Sequence, residues 1–119
     1  MKIIVVGDGK VGLTLTEQLS KEEHDIVVID KNPTVLQNSQ ETFDVMVVPG
    51  NGASRQVLLE AGAQDADLVI AATSADEINL LCCLTAKKLG CTHTIARVRN
   101  PDCRAGNVSD FTVSFFFKP

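Results

Sequence analysis

The stretch Lys2-Ile3-Ile4-Val5-Val6-Gly7-Asp8-Gly9-Lys10-Val11-Gly12 decides the fold. Residues 2–6 read as a short β-branched apolar run, as expected of a strand buried on both faces of a parallel sheet. Glycines follow at once at positions 7, 9 and 12, and Val11, Leu15 and Leu19 then recur every four residues. That spacing predicts an amphipathic helix over about 10–22. A G-x-G-x-x-G segment between a buried strand and a helix is the dinucleotide-binding fingerprint. In such a loop Gly7 permits the tight turn, Gly9 lets backbone approach a pyrophosphate, and Gly12 lets helix and strand pack closely. The unpaired N–H groups and the helix dipole attract the anion.

The pattern repeats outward from this unit. Ile26-Val27-Val28-Ile29 is a second buried strand ending at Asp30, and Asn32-Pro33 supplies an N-cap and first-turn proline for a helix to about 42. Val45 to Val48 is a third strand, broken by Gly50-Asn51-Gly52, and 54–61 is a short helix closed by Gly62. Leu68 to Ala72 is a fourth strand; Ser74-Ala75-Asp76-Glu77 has a capping-box pattern and starts a helix carrying Ile78, Leu81 and Leu84 to about Leu89. Thr94 to Val98 is a fifth strand, and Asn100-Pro101 looks like another helix start. Alternating strands and helices imply an α/β, Rossmann-like, doubly wound parallel sheet with helices on both faces. Four of the five phenylalanines (Phe111, Phe115, Phe116, Phe117) fall in the last nine residues, either as a sixth strand or as an edge needing a partner.

At 119 residues the chain accommodates one domain, taken as 1–119 with an atypical tail from about 104, and leaves no room for a second, catalytic domain. Its formal charge of −4 excludes a basic nucleic-acid footprint. The apolar opening stops at Val6, too short for a signal peptide or a membrane span, so a cytoplasmic protein without membrane insertion is expected. Cys82, Cys83, Cys91 and Cys103 form no zinc-ligand spacing; they are expected to be reduced, structural thiols, with no metal.

Asp30 lies 18 positions after Gly12, close to the interval at which an acid accepts hydrogen bonds from the adenosine ribose hydroxyls. It disfavours the 2′-phosphate of NADP, a repulsion that neighbouring Lys31 softens. The same ribose occurs in ATP and ADP, so Asp30 does not separate them from NAD(H); its bland alternative is a cap on the loop before Asn32. An acid inside a phosphate loop repels the ligand, so Asp8 is expected to point outward to solvent. Lys10 is either a phosphate cation or a solvated lysine. Ligands of open α/β sheets bind at the carboxyl ends of strands, which adds Asn51, Thr73, Ser74 and Arg97 to the candidate cofactor-binding residues Gly7, Asp8, Gly9, Lys10, Val11, Gly12, Asp30 and Lys31. Thr73 and Ser74 serve equally as helix caps, and Arg97 rather than Arg99 is expected to lie deep enough for a phosphate. No catalytic residue is proposed: the chain has no Tyr or Trp, and His24 and His93 fall at the amino ends of strands.

In combination these segments resemble a known family. The opening loop, Val28-Ile29-Asp30, Val48-Pro49-Gly50-Asn51-Gly52, Glu60-Ala61-Gly62-Ala63, Ala66-Asp67 through Ala72-Thr73-Ser74-Ala75-Asp76-Glu77-Ile78-Asn79, and Ala96-Arg97-Val98-Arg99-Asn100-Pro101 are similar to the N-terminal nucleotide-binding domain family of Trk system potassium uptake proteins (TrkA), also called RCK or KTN domains. The resemblance covers about 1–103. It implies a non-enzymatic regulatory subunit or domain that binds NAD(H), or ATP/ADP in related members, and assembles with copies of itself. It also implies control of an integral-membrane potassium transporter or channel from the inner face of the membrane. The tail departs from the family pattern, which continues with a longer helix and a further strand, so a truncated or atypical end is expected. Two other classes are the alternatives: the cofactor-binding half of an NAD-dependent oxidoreductase, and an interaction module with a degenerate site.

Overall fold

In a computed structural model, residues 1–99 and the backbone of a strand at 112–115 are described. The chain runs β1 (Lys2–Val6), α1 (Lys10–Ser20), β2 (Asp25–Asp30), α2 (Pro33–Thr42), β3 (Met46–Pro49), α3 (Arg55–Ala61), a single 3₁₀ turn (Ala63–Asp65), β4 (Leu68–Ala71), α4 (Asp76–Leu89), β5 (His93–Arg97) and β6 (Thr112–Phe115). The strands form one sheet in the order β3-β2-β1-β4-β5-β6. The first five are parallel, with Val6 opposite both Ile29 and Ala71.

Alternation along β1 explains the two layers. Ile3 and Val5 point to one face, where they pack with Ile26, Val28 and Leu36 and with Leu15 and Leu19 of α1. Ile4 and Val6 point to the other, packing with Leu58 of α3 and Cys82, Cys83 and Ala86 of α4. Both faces of the central strand are therefore dry, which is why its sequence shows no polar alternation. Each fully buried aliphatic side chain contributes roughly 1.5–3 kcal/mol relative to exposure.

The helix signals work as expected at α2, where the Asn32 side chain accepts from Thr34 N–H ahead of Pro33, and at the end of α3, closed by Gly62 at φ +86°; Ser54, read as the first residue of α3, is its N-cap. The capping box expected at Ser74 is corrected. The N-cap of α4 is Ala75, without a side-chain cap. The Thr73 hydroxyl instead accepts from Ala75 N–H at 3.2 Å, while Ser74 is exposed. The physical reason is Asn79: its fully buried carboxamide draws Thr73 inward, so the chain enters the helix one residue later.

β6 pairs with β5 antiparallel, Thr112 opposite Arg97 and Phe115 opposite Thr94. An antiparallel partner needs no crossover helix, so the short connection after β5 suffices. The expectations for Asn100-Pro101, Cys103, Phe111, Phe116 and Phe117 lie outside the described residues.

Cys82, Cys83 and Cys91 are free and buried. Burial raises all three thiols, Cys83 to about 12. Thiols so displaced stay protonated and behave as small apolar side chains. Among the described residues no helix is long and apolar enough to cross a membrane.

Candidate nucleotide-binding cleft

The strand order reverses between β1 and β4: α1 leaves β1 toward one face and α4 leaves β4 toward the other. At their carboxyl ends opens a cleft of about 510 Å³, inside the ~300–1,000 Å³ range of small-molecule sites. Its wall is backbone-built. Gly7 N–H donates to Ile29 carbonyl at 2.7 Å, and Ala72 N–H to Val6 carbonyl at 2.8 Å, which extends both strand pairings into the loops.

The three glycines of the motif have separate causes. Gly7 sits at φ +95°, and a Cβ there would lie 2.9 Å from Thr73 N, against the β4 loop. A Cβ at Gly12 would lie 1.6 Å from the Gly7 carbonyl oxygen, so the first turn of α1 rests directly on the loop. At Gly9 the φ is ordinary, −77°, and a Cβ would meet nothing within 4 Å. No protein contact explains that glycine. It leaves a cradle open to the cleft at the start of α1, where no side chain caps the helix and the N–H groups of Gly9, Lys10 and Val11 have no acceptor among the described residues. A diphosphate fits this donor set, because it is an anion whose oxygens accept from backbone N–H at a helix N-terminus.

Asp30 closes the opposite side. One carboxylate oxygen accepts from Asp8 N–H and the other from Asn32 N–H, both at 2.8 Å. The loop-capping alternative is therefore realised. An ionised carboxylate offers about four acceptor positions, so the group keeps capacity toward the cleft it lines. Lys10, Lys31, Arg97 and Arg99 also line the cleft. Four cations around backbone donors, in a chain of net negative charge, make this an anion-attracting region.

Ten of the twelve residues expected from the sequence line the cleft together: Gly7, Gly9, Lys10, Val11, Asp30, Lys31, Asn51, Thr73, Ser74 and Arg97. Gly12 and Asp8 do not. Gly12 is consumed by packing, as above. Asp8 corrects the expectation of an outward side chain: it is 3% exposed, turned under the loop, where Ser39 Oγ of α2 donates to one carboxylate oxygen. Its backbone N–H is held by Asp30, which leaves the side chain facing α2 rather than solvent. Burial raises the Asp8 pKa above the ordinary value, the Ser39 hydrogen bond opposes this, and the charge of Asp30 adds to it.

Sequence reasoning missed two residues. Arg99 reaches the cleft as well as Arg97; its N–H meets both Asp76 carboxylate oxygens at 3.0 Å and its guanidinium donates to Ser74 carbonyl at 2.6 Å. Asn79, fully buried, accepts from Thr73 N–H at 2.9 Å and donates to the Thr73 and Arg97 carbonyls at 3.0 and 2.8 Å. It thereby ties the carboxyl ends of β4 and β5 together. The signal available was a polar residue on an otherwise apolar helical stripe. His24 and His93 lie at the amino ends of β2 and β5, remote from the cleft.

Comparison with known proteins agrees with this architecture. The Trk system potassium uptake protein TrkA of Haemophilus influenzae is 48% identical over 103 residues, covering 86% of this chain and 22% of that protein. The chain thus spans about a fifth of the length of the first such relatives it matches. Among solved structures, the GsuK channel bound to NAD superposes with a TM-score of 0.73 at 29% identity, covering 85% of this chain and 18% of that one. The Shewanella denitrificans Kef C-terminal domain in its AMP-bound form gives 0.64 at 28%, covering 74% and 52%. The family model of the TrkA-N domain matches residues 3–106. With that match spanning nearly the whole sequence, and the cleft built as described, the chain belongs to the TrkA-N domain family.

Proposed function

We propose that this domain binds an adenine nucleotide, NAD(H) foremost with ATP or ADP as the alternative, and acts as a regulatory sensor for a membrane potassium transporter or channel. The observation that carries the binding is Gly9, a glycine whose missing Cβ faces no protein atom and whose neighbouring N–H groups have no acceptor among the described residues. In the bound state the loop from Gly7 to Val11 lies against the diphosphate, with the free N–H groups of Gly9, Lys10 and Val11 donating to it, and Asp30 accepts from the ribose hydroxyls. Lys10, Lys31 and Arg97 supply positive charge, and Asn51, Thr73 and Ser74 complete the rim. NAD named with the GsuK channel and AMP with the Kef domain support this ligand class.

The remaining parts of the proposal are non-catalytic action, self-association, and attachment to a transporter at the inner face of the membrane. They are supported by the Trk names of the relatives and by the channel among the structural neighbours. A ligand acts in such an assembly by binding one arrangement better than another. The test is thermal unfolding with NADH, NAD⁺, NADPH, ATP and ADP. A ligand present at ~100 times its Kd stabilises by about 2.7 kcal/mol, a rise on the order of 10 °C for a domain of this size. No rise with any of the five refutes nucleotide binding, and steady NADH oxidation with a metabolite refutes the non-enzymatic role.

A further inference from the structure

Asp8 is the loop residue that the cleft leaves unused. It stands between two glycines that line the cleft, yet its carboxylate is buried beneath them. Ser39 Oγ donates to one of its oxygens, while the other, Oδ1, is buried with no hydrogen-bond partner among the described residues. Such an oxygen costs free energy, so packing does not explain the acid. Among the described residues, no charged group compensates it. Asp30, at the end of β2, adds like charge; α2 contributes the neutral Ser39; and Lys10 of α1 and Lys31 after β2 line the cleft without forming a salt bridge to Asp8.

We propose that Asp8 is a specificity-determining residue: its buried negative charge beneath the glycine loop discriminates against ligands in proportion to their phosphate charge, favouring the diphosphate diester of a dinucleotide over a nucleoside triphosphate. This rests on the nucleotide-binding function proposed above. Coulomb repulsion scales with the charge on the ligand, and a triphosphate carries about twice that of the dinucleotide's diphosphate. Because the carboxylate is out of water, salt screens it less than it would a surface acid. The hydrogen bond from Ser39 favours the ionised form and opposes the burial that raises the Asp8 pKa. Asp30 also lines the cleft and repels phosphate, but it is unchanged in an Asp8 variant, so its contribution cancels when the variant is compared with the wild type. When acid protonates Asp8, the discrimination fades.

The test is the ratio of Kd for ATP to Kd for NADH, measured by titration calorimetry without divalent cations on the wild type and on Asp8→Asn. Asparagine keeps the shape and still accepts from Ser39. Loss of the charge is expected to tighten ATP by roughly threefold or more beyond any gain for NADH, so the ratio falls by that factor. A ratio taken within one protein cancels changes in folding. Asp8→Ala, also neutral, gives the same fall and replaces the asparagine variant if that does not fold. An unchanged ratio, in a wild type that binds both ligands, overturns the charge discrimination and leaves nucleotide binding intact. A wild type that binds neither overturns both.

Discussion

Replacing Gly9 by valine is expected to remove nucleotide binding without weakening the fold, and replacing Gly12 by alanine to do the reverse. At Gly9 the backbone is extended and a Cβ meets no atom within 4 Å, so the apo protein should keep its stability to within about 0.5 kcal/mol. In the proposed complex the added side chain stands where the diphosphate approaches. Hydrogen bonds to charged groups contribute about 1.5–3 kcal/mol each, so losing two lowers affinity roughly 100-fold or more. At Gly12 a Cβ would lie 1.6 Å from the Gly7 carbonyl oxygen and 2.7 Å from its carbon. Helix α1 must then move off the loop, an overpacking cost of about 1–3 kcal/mol or more. Each kcal/mol lowers the melting temperature by roughly 4–8 °C in a domain of similar size. Scanning both variants with and without NADH separates the two effects. A ligand-induced rise retained by Gly9→Val, or an apo melting temperature that falls as far as that of Gly12→Ala, refutes this division of roles.

The other expectations concern single groups. Asp30→Ala should weaken NADH and ATP by similar factors, because both share the ribose; it should also cost about 1–3 kcal/mol in urea denaturation, since Asp8 N–H and Asn32 N–H lose their acceptor. Asp8 has a raised native pKa, so the native state holds the proton longer than the unfolded chain; its contribution to stability is present in acid and declines as pH rises from about 3.8, a slope that Asp8→Asn should flatten. Burial pushes the Cys83 thiol from 9.0 to about 12. Urea midpoints should accordingly fall as pH rises through that interval, because the unfolded thiol ionises first, and the fall should be shallower in Cys83→Ala. Asn79→Asp turns two donations to carbonyls into repulsions, so it should cost several kcal/mol by denaturation, and Asn79→Ala less.

What the sequence revealed and what it hid divide along physical lines. Strands β1, β2 and β4 were legible because both faces are dry, which forces runs such as Ile26 to Ile29. The cap at Asn32 and the αL glycine at Gly62 were legible because each is a contact within a few residues. The start of α4 was not, because its local pattern at Ser74 is overridden by Asn79, whose partners Thr73 and Arg97 are 6 and 18 residues away. Asp8 was misjudged for the same reason: its partner Ser39 is 31 positions distant, and no local rule announces it. The strand β6 was anticipated as one of two alternatives, and its antiparallel sense depends on what the edge of β5 offers.

The position of the cleft follows from the topology and then constrains its chemistry. Because α1 packs on one face and α4 on the other, no helix covers the carboxyl ends of β1 and β4, and only backbone closes the gap between them. Two close approaches achieve this, Gly7 against Thr73 and Gly12 against Gly7, and both require the absence of a Cβ. Asn79 then fixes Thr73 to the end of β5, so the β4 wall cannot withdraw without breaking the three hydrogen bonds between Thr73 and this one buried side chain. A wall built this way is rigid before any ligand arrives, and a preorganised donor set loses little entropy when an anion binds. The same rigidity makes the charge of Asp8 effective. A loop free to shift would move away from the repulsion, whereas this one is held by Gly7 to Ile29 carbonyl, by Asp8 N–H to Asp30 and by Ser39 to the carboxylate itself. Loosening the wall through Asn79→Ala is therefore expected to reduce the discrimination between NADH and ATP as well as the affinity for each.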